Sequence, residues 1–355
     1  MLFALTLSLA IAGQDATTPA FDRDARIAEA IAAVRPMAYR TNDVDWAMIE
    51  ADMRRRAEGA RDTVDMLPAY SALTYHLGDN HSFIQPTTEA MAGWRERHGE
   101  RRLLPDTPPR PRPNSPFLSR TAVEGRDVQV GAKTARLVVV PPVYGSGEPA
   151  RTYAGTLFNA VADGGPRTCG YIVDVRGNTG GNVWPMLVGL SALSGDGPAG
   201  MSRDRDGQTS TYAGLKEGAA VIAEAGDGFG MAIIRTGAWR PLPALATAPV
   251  AVLTDGGVYS SGEGVAVHFK GRVNTRFFGL RTGGLASSND NTILSDGTNM
   301  VITVAMMMDR TGAVHPQGVE PDQVVENGEG SPDDPDDAVV EAARAWLATQ
   351  PACSR

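Results

Sequence analysis

The chain has 355 residues, of which 42% are hydrophobic and 21% charged, with a net charge of −8. That length can bury one large core or two smaller ones, and the acidic balance argues against a nucleic-acid partner. Five scattered histidines without paired ligand spacing argue against a metal site, and no cofactor signature is present.

Residues 1–12 read MLFALTLSLAIA. This apolar run has the length of a signal-peptide core, is too short to span a bilayer, and ends in the A-x-A pattern Ala10-Ile11-Ala12. The expectation is a signal peptide, a flexible stretch to about residue 19, and export to the periplasm or beyond the cell. No later segment is apolar for long enough to keep the mature chain in a membrane. The two cysteines, Cys169 and Cys353, are open between a disulfide and two free thiols.

Residues 20–90 predict a helical subdomain. Trp46, Ile49 and Met53 fall on one helical face, with Asp45 as a candidate N-cap. A further helix over residues 63–77 ends at Gly78. The next residues are Asp79-Asn80-His81-Ser82-Phe83. A histidine in a short polar turn is accessible yet held by its neighbours, which suits a general base; it also fits an ordinary surface loop.

Residues 91–134 are expected to connect this subdomain to the rest. Their first part, to residue 117, is rich in Arg and Pro and reads as a linker with little core potential; short strands follow. A core is expected over residues 135–326. It opens with the apolar run 135–140 and a helix near 152–162. The buried strand Tyr171-Ile172-Val173 then leads into Gly177-Asn178-Thr179-Gly180-Gly181 and another helix. Such a loop exposes backbone N–H groups to an anion, but it is neither G-x-G-x-x-G nor a Walker A loop. Residues 195–248 are polar and glycine-rich, with one strand expected at 231–234.

A second strand–turn–helix unit follows. Val250-Ala251-Val252-Leu253 reads as a buried strand, Asp255-Gly256-Gly257 as a turn, and Ser260 and Ser261 stand at a helix entrance. Unpaired N–H groups in a first helical turn can stabilise an oxyanion, so a nucleophile is well placed there. Ser260-Ser261-Gly262-Glu263 is equally an S-x-x-E capping box. Further strands are expected at 276–279 and 300–308, loops at 281–284 and 315–322, an acidic linker at 327–336, and a helix with its tail over 337–355. Strands alternating with helices predict an α/β core with its site at the strand C-terminal ends.

Four segments, LGDNHS (77–82), DVRGNTGG (174–181), VAVLTDGGVYSSGE (250–263) and FFGLRTGG…GVEPD (277–322), together resemble the tail-specific, or C-terminal-processing, serine peptidase family. The resemblance implies a crotonase-like (ClpP-like) ββα core behind the N-terminal helical subdomain. Processing members use a Ser/Lys dyad, with the Lys after the T-x-G of the late loop, but Leu285 stands there and no Lys follows Lys270. The tricorn-like branch instead uses a His base, matched by His81. The interval 84–134 is too short and too rich in Pro and Arg for the PDZ module of processing members.

The mechanism implied is acyl transfer, with Ser260 as nucleophile and His81 as general base. Ser261 with Gly180 or Gly181 would hold the oxyanion. Glu320 is the expected orienting group for His81, with Ser82 and Asp79 as alternatives, because the tricorn branch uses a late Glu. Asn289, Thr282 and Gly283 are the expected substrate contacts. The expected partner is a peptide or unfolded protein, and an oligomer is compatible with the sequence. The alternative is a non-catalytic protein binding peptides or small hydrophobic molecules, as the retinoid-binding relatives of this family illustrate.

Overall fold

The structure is a computed structural model that describes residues 21–224, 228–328 and 337–354. The expected signal peptide at 1–12 and most of the acidic linker lie outside the described residues. In chain order the helical part holds α1 (Arg23–Val34), α2 (Trp46–Arg56) and α3 (Thr63–His76), then β1 (Phe83–Gln85) and α4 (Thr88–His98). There follow β2 (Glu124–Val130), β3 (Lys133–Val139), α5 (Gly147–Ala162), β4 (Thr168–Asp174), α6 (Val183–Gly189) and α7 (Ser191–Ser194). Four strands come next: β5 (Gly197–Asp204), β6 (Thr209–Lys216), β7 (Ala219–Glu224) and β8 (Gly228–Arg235). The last elements are β9 (Val250–Thr254), α8 (Ser261–Phe269), β10 (Thr275–Gly279), β11 (Ser287–Ile293), β12 (Asn299–Met307), β13 (Gln323–Val324) and α9 (Ala338–Ala348).

The fold is mixed α/β and its strands form two sheets. One has the order β13-β10-β9-β4-β3-β2, parallel from β13 to β3 and antiparallel at β2. Its central strand β9 is buried at every residue, so both faces must be covered. Tyr171, Val173, Val250 and Val252 face α5, α6 and α8, among Leu157, Leu187 and Val265. Ile172, Ala251 and Leu253 face α9, through Val339, Ala343 and Leu347. Two consecutive strand–helix crossovers, β4 to α6 and β9 to α8, bring both glycine-rich loops to the same sheet end.

The second sheet runs β1-β12-β5-β6-β7-β8, with β11 on β12. It is antiparallel, and its β12 end packs against the helical part, where Met300, Ile302 and Leu294 join Ile27, Ile49, Met53, Tyr70 and Leu73. Asp22, Asp45 and Asp62 each cap a helix with a side-chain carboxylate that accepts a first-turn N–H, a contact of about 1 kcal/mol.

Three expectations change. Residues 88–98 are helical, because Ala90 and Trp94 share a face that packs on Val64 and Leu67. The remaining Pro/Arg-rich segment is more than a solvated linker: Leu104 and Phe117 are buried, and Phe117 lies under the guanidiniums of Arg176 and Arg120. Residues 195–248 hold a four-stranded meander where one strand was expected. Cys169 and Cys353 form a disulfide, which ties the chain end to β4.

Candidate active site

Ser260 sits between β9 and α8 with φ 52° and ψ −119°. A non-glycine residue rarely holds positive φ, and such a strained conformation costs about 1–3 kcal/mol unless the surroundings enforce it. The surroundings here do so on both sides. Tyr259 N donates to Asn178 O at 2.9 Å, and Gly262 N donates to Tyr259 O at 2.9 Å. Glu263 Oε2 accepts from Ser260 N at 3.3 Å, and the Ser260 side chain faces the Glu263 backbone, so the expected capping box is present. The Ser260 hydroxyl also lies against His81.

His81 Nε2 lies 2.9 Å from Ser260 Oγ, and its Nδ1 lies 2.7 Å from Ser287 Oγ. The imidazole thus bridges two hydroxyls contributed by segments 179 and 206 residues away. Its loop is shaped by Asp79, which accepts from His81 N at 2.8 Å, Ser82 N at 2.6 Å and Ser82 Oγ at 2.6 Å. Ser82 Oγ accepts from Thr303 N at 3.0 Å, and Asn289 Nδ2 donates to His81 O at 3.1 Å. Arg110, from the Pro/Arg-rich segment, donates to Asn80 O at 3.3 Å.

Burial lowers the His81 pKa to about 4; the Asp79 carboxylate opposes the shift and the Arg110 guanidinium adds to it. The ring is therefore neutral at neutral pH, and one nitrogen can accept a proton.

The loop of residues 177–182 faces Ser260 from β4. A Cβ at Gly180 would fall 2.8 Å from Ser260 Cβ and 3.1 Å from Ser261 N, so only glycine fits that approach. Gly181 is equally pressed, since a Cβ there would fall 2.0 Å from Val143 O. Ser261 Oγ donates to Gly181 O at 2.7 Å and locks the two loops together. Asn178 is fully buried, and its Oδ1 accepts from Gly180 N at 2.9 Å. That N–H is therefore turned away from the expected oxyanion role. Ser261 opens α8, so its N–H belongs to a first turn that lacks intrahelical acceptors.

Two buried carboxylates hold this end of the sheet. Asp255 accepts from Gly177 N at 3.1 Å, Gly257 N at 2.9 Å, Ser115 Oγ at 2.5 Å and Asn327 Nδ2 at 3.1 Å. Glu263 accepts from Thr282 Oγ1 at 2.5 Å, Gly284 N at 2.9 Å and Leu285 N at 2.6 Å, besides Ser260 N. Burial raises the pKa of each; the hydrogen bonds oppose the shift without cancelling it. Beneath them Arg176 bridges Asp174 and Asp337, with its Nη2 2.7 Å from a carboxylate oxygen of each. Burial alone would raise the Asp174 pKa, but the Arg176 and Arg120 guanidiniums outweigh it and hold the carboxyl well below the usual range.

Several expected site residues stand elsewhere. The Glu320 side chain is 68% exposed and lies 3.7 Å from Arg281, not against His81. Asp79 and Ser82 shape the His81 loop, but neither is hydrogen-bonded to the ring. Ser287 fills that position, and no motif in the sequence marks it. The Thr282 side chain is spent internally on Glu263 and on Val319 N, the latter at 2.7 Å. Gly283 N donates to Val258 O at 2.8 Å, and its Cα packs under the Tyr259 ring. Asn289 holds the His81 backbone and accepts from Thr303 Oγ1 at 3.1 Å. These three residues build the site rather than line it. Lys270 is paired with Asp322 at 3.2 Å at the far end of α8.

Residues 154–325 match the profile of peptidase family S41. The nisin-resistance protein of Lactococcus lactis subsp. lactis is 26% identical over 292 residues, which cover 82% of this chain and 80% of that protein. Among solved structures, a lipoprotein from Streptococcus agalactiae aligns with a TM-score of 0.62 at 20% identity, over 94% of this chain and 99% of that one. The photosystem II D1 C-terminal processing protease aligns with a TM-score of 0.53 at 15% identity, over 94% and 98%. At these identities the two structures speak for the fold alone. The family match identifies residues 154–325, most of the core, as a peptidase family S41 domain.

Proposed function

We propose that this chain is an exported serine peptidase in which Ser260 is the nucleophile, His81 the general base and Ser287 the group that orients the base. The observation that carries the reading is the His81 ring held between Ser260 Oγ at 2.9 Å and Ser287 Oγ at 2.7 Å. A proton on Nδ1, donated to Ser287, leaves Nε2 free to accept from Ser260. Ser260 Oγ attacks a peptide carbonyl as Nε2 takes its proton. The tetrahedral oxyanion is received by the N–H groups of Ser261 and Gly181. His81 then returns the proton to the departing amine, and water hydrolyses the acyl-enzyme by the same route. The strained backbone of Ser260 supports this reading, because strain of that kind is characteristic of strand-to-helix nucleophile turns.

The strand–helix core around β4, β9 and β10 is read as the crotonase-like (ClpP-like) ββα unit, preceded by a helical subdomain that delivers the base. The Cys169–Cys353 disulfide supports export, as do the nisin-resistance relative and the lipoprotein neighbour. A peptide or unfolded protein is the substrate class.

The test is reaction of the purified protein with a fluorophosphonate probe, read by intact mass, beside Ser260→Ala and His81→Ala. One adduct per chain, absent from the first variant and strongly slowed in the second, is expected. No adduct between about pH 5 and 9, where His81 is neutral, would contradict the reading and favour a binding protein on the same fold.

A further inference from the structure

Among the residues whose burial the structure describes, three Phe, Tyr or Trp side chains are exposed: Phe83 at 37%, Tyr144 at 66% and Tyr212 at 56%. Each attaches to a segment that builds the site. Phe83 follows His81 by two residues, on a strand whose inward residue Ile84 packs into the helical core. Tyr144 leans on the 177–182 loop: its hydroxyl lies 3.0 Å from Thr179 Oγ1, and a Cβ at Gly181 would fall 3.0 Å from its ring. Tyr212 packs against Trp184, with ring centroids 5.8 Å apart. Trp184 stands in the first turn of α6, three residues beyond Gly181, and its ring tip lies over Gly200, the β5 residue beside Tyr212.

An exposed aromatic ring is poorly hydrated surface that gains by contact with an apolar partner. Rings scattered singly over a surface need no explanation, but three exposed rings on the segments that carry His81 and the 177–182 loop do. The hydrogen bond of Tyr144 and the stacking of Tyr212 hold two of the rings in place, which lowers the entropy lost when a ligand packs on them. The rings also belong to different segments of the site: Phe83 to the one that carries His81, and Tyr144 and the Trp184–Tyr212 pair to the 177–182 loop and the helix it opens.

We infer that these rings are side-chain subsites for an extended peptide with bulky apolar residues on both sides of the scissile bond. The inference deepens the peptidase reading and rests on it for the position of that bond. Phe83 meets residues on one side of the attacked carbonyl, and Tyr144 with the Trp184–Tyr212 shelf meets those on the other. A polar peptide finds no compensating charge at these three exposed positions.

The experiment measures fluorescence anisotropy of labelled octapeptides on the Ser260→Ala protein, which binds without turnover. One peptide series carries Leu and Phe around its centre, and the other carries Ser and Gln. The apolar series is expected to bind at least about tenfold more tightly, and Tyr144→Ala or Tyr212→Ala in that background to weaken it about five- to tenfold each. Tyr144→Phe keeps the ring and is expected to retain affinity within about twofold, which separates ring contact from the Thr179 hydrogen bond. Val273→Ala, an exposed apolar residue at the opposite end of the parallel sheet, is expected to change nothing. Equal affinity for the two series, or ring removal without effect, overturns the inference. Because the readout needs no nucleophile, selective binding without fluorophosphonate labelling would sink the serine chemistry alone. Labelling without selectivity would sink the aromatic subsites alone.

Discussion

The two halves of the site are built in different ways. The half that carries the proposed nucleophile is local: β9, a turn and α8 follow one another within 20 residues, and Ser260, Ser261 and Glu263 all lie on that unit. The half that carries the proposed base is assembled from afar. His81 comes from the loop after α3, Ser287 and Asn289 from β11, Thr303 from β12, and Arg110 from the Pro/Arg-rich segment. Buried backbone and two buried carboxylates hold the first half rigid, whereas side-chain hydrogen bonds across a sheet edge hold the second. Damage to the nucleophile half should therefore reach stability, and damage to the base half should reach catalysis with the fold intact.

The largest expected effect removes one member of each half. Ser260→Ala and His81→Ala should each lower kcat by at least about 10³-fold, and the double variant should be little worse than either, because the two groups act as a unit. Steady-state peptidolysis with all three variants checks this, and independent, multiplying losses would break the pairing.

Next in size is Glu263→Ala, which leaves Thr282 Oγ1 and the N–H groups of Ser260, Gly284 and Leu285 without their acceptor. A loss of about 2–4 kcal/mol in urea unfolding is expected, with activity falling alongside. A fully stable Glu263→Ala protein would remove the distinction between a rigid and an adjustable half.

His81 should contribute a smaller, pH-dependent term to stability. Its folded pKa of about 4 lies below the ordinary value of 6.5, so the unfolded chain binds the proton first. The stability that comes from burying the neutral ring is complete above pH 6.5 and is lost as pH falls towards about 4. The gap between wild type and His81→Gln should narrow by on the order of 1–3 kcal/mol across that window. A constant gap in parallel denaturation series would contradict the burial argument.

Ser287→Ala sharpens the comparison most finely. It removes the acceptor for Nδ1–H while leaving β11 paired with β12. A fall of about 10- to 100-fold in kcat is expected, with KM and unfolding midpoint nearly unchanged. A change confined to KM would place Ser287 among substrate contacts instead.

The same contrast explains what the sequence disclosed. The nucleophile unit was legible because its signals are short-range: an apolar β-branched run, Asp-Gly-Gly, and S-x-x-E at a helix entrance. His81 was found from its place after a capped helix and from the LGDNHS resemblance. The partner of its Nδ1 was not, because Ser287 opens the polar strand Ser287–Ile293, whose sequence carries no hydrophobic period. That strand forms because β12 offers it a long antiparallel partner, which is a tertiary cause. The analogy that favoured Glu320 fails for a related reason, since its side chain turns outward to solvent and Arg281. The meander β5–β8 hid among glycines and polar residues, with alternation interrupted by register shifts in β7. Gly180, expected as an oxyanion donor, lies against Ser260, but no sequence signal told that Asn178 would take its N–H.

The pH dependence of fluorophosphonate labelling, wild type beside His81→Ala, tests whether His81 activates Ser260. If His81 activates Ser260, the wild-type rate should be half-maximal between about pH 4 and 5, where the buried ring loses its proton, and flat above. The His81→Ala rate should be at least about 10²-fold slower on that plateau and lack the acid limb. Equal rates and profiles in the two proteins would show that His81 is not the base.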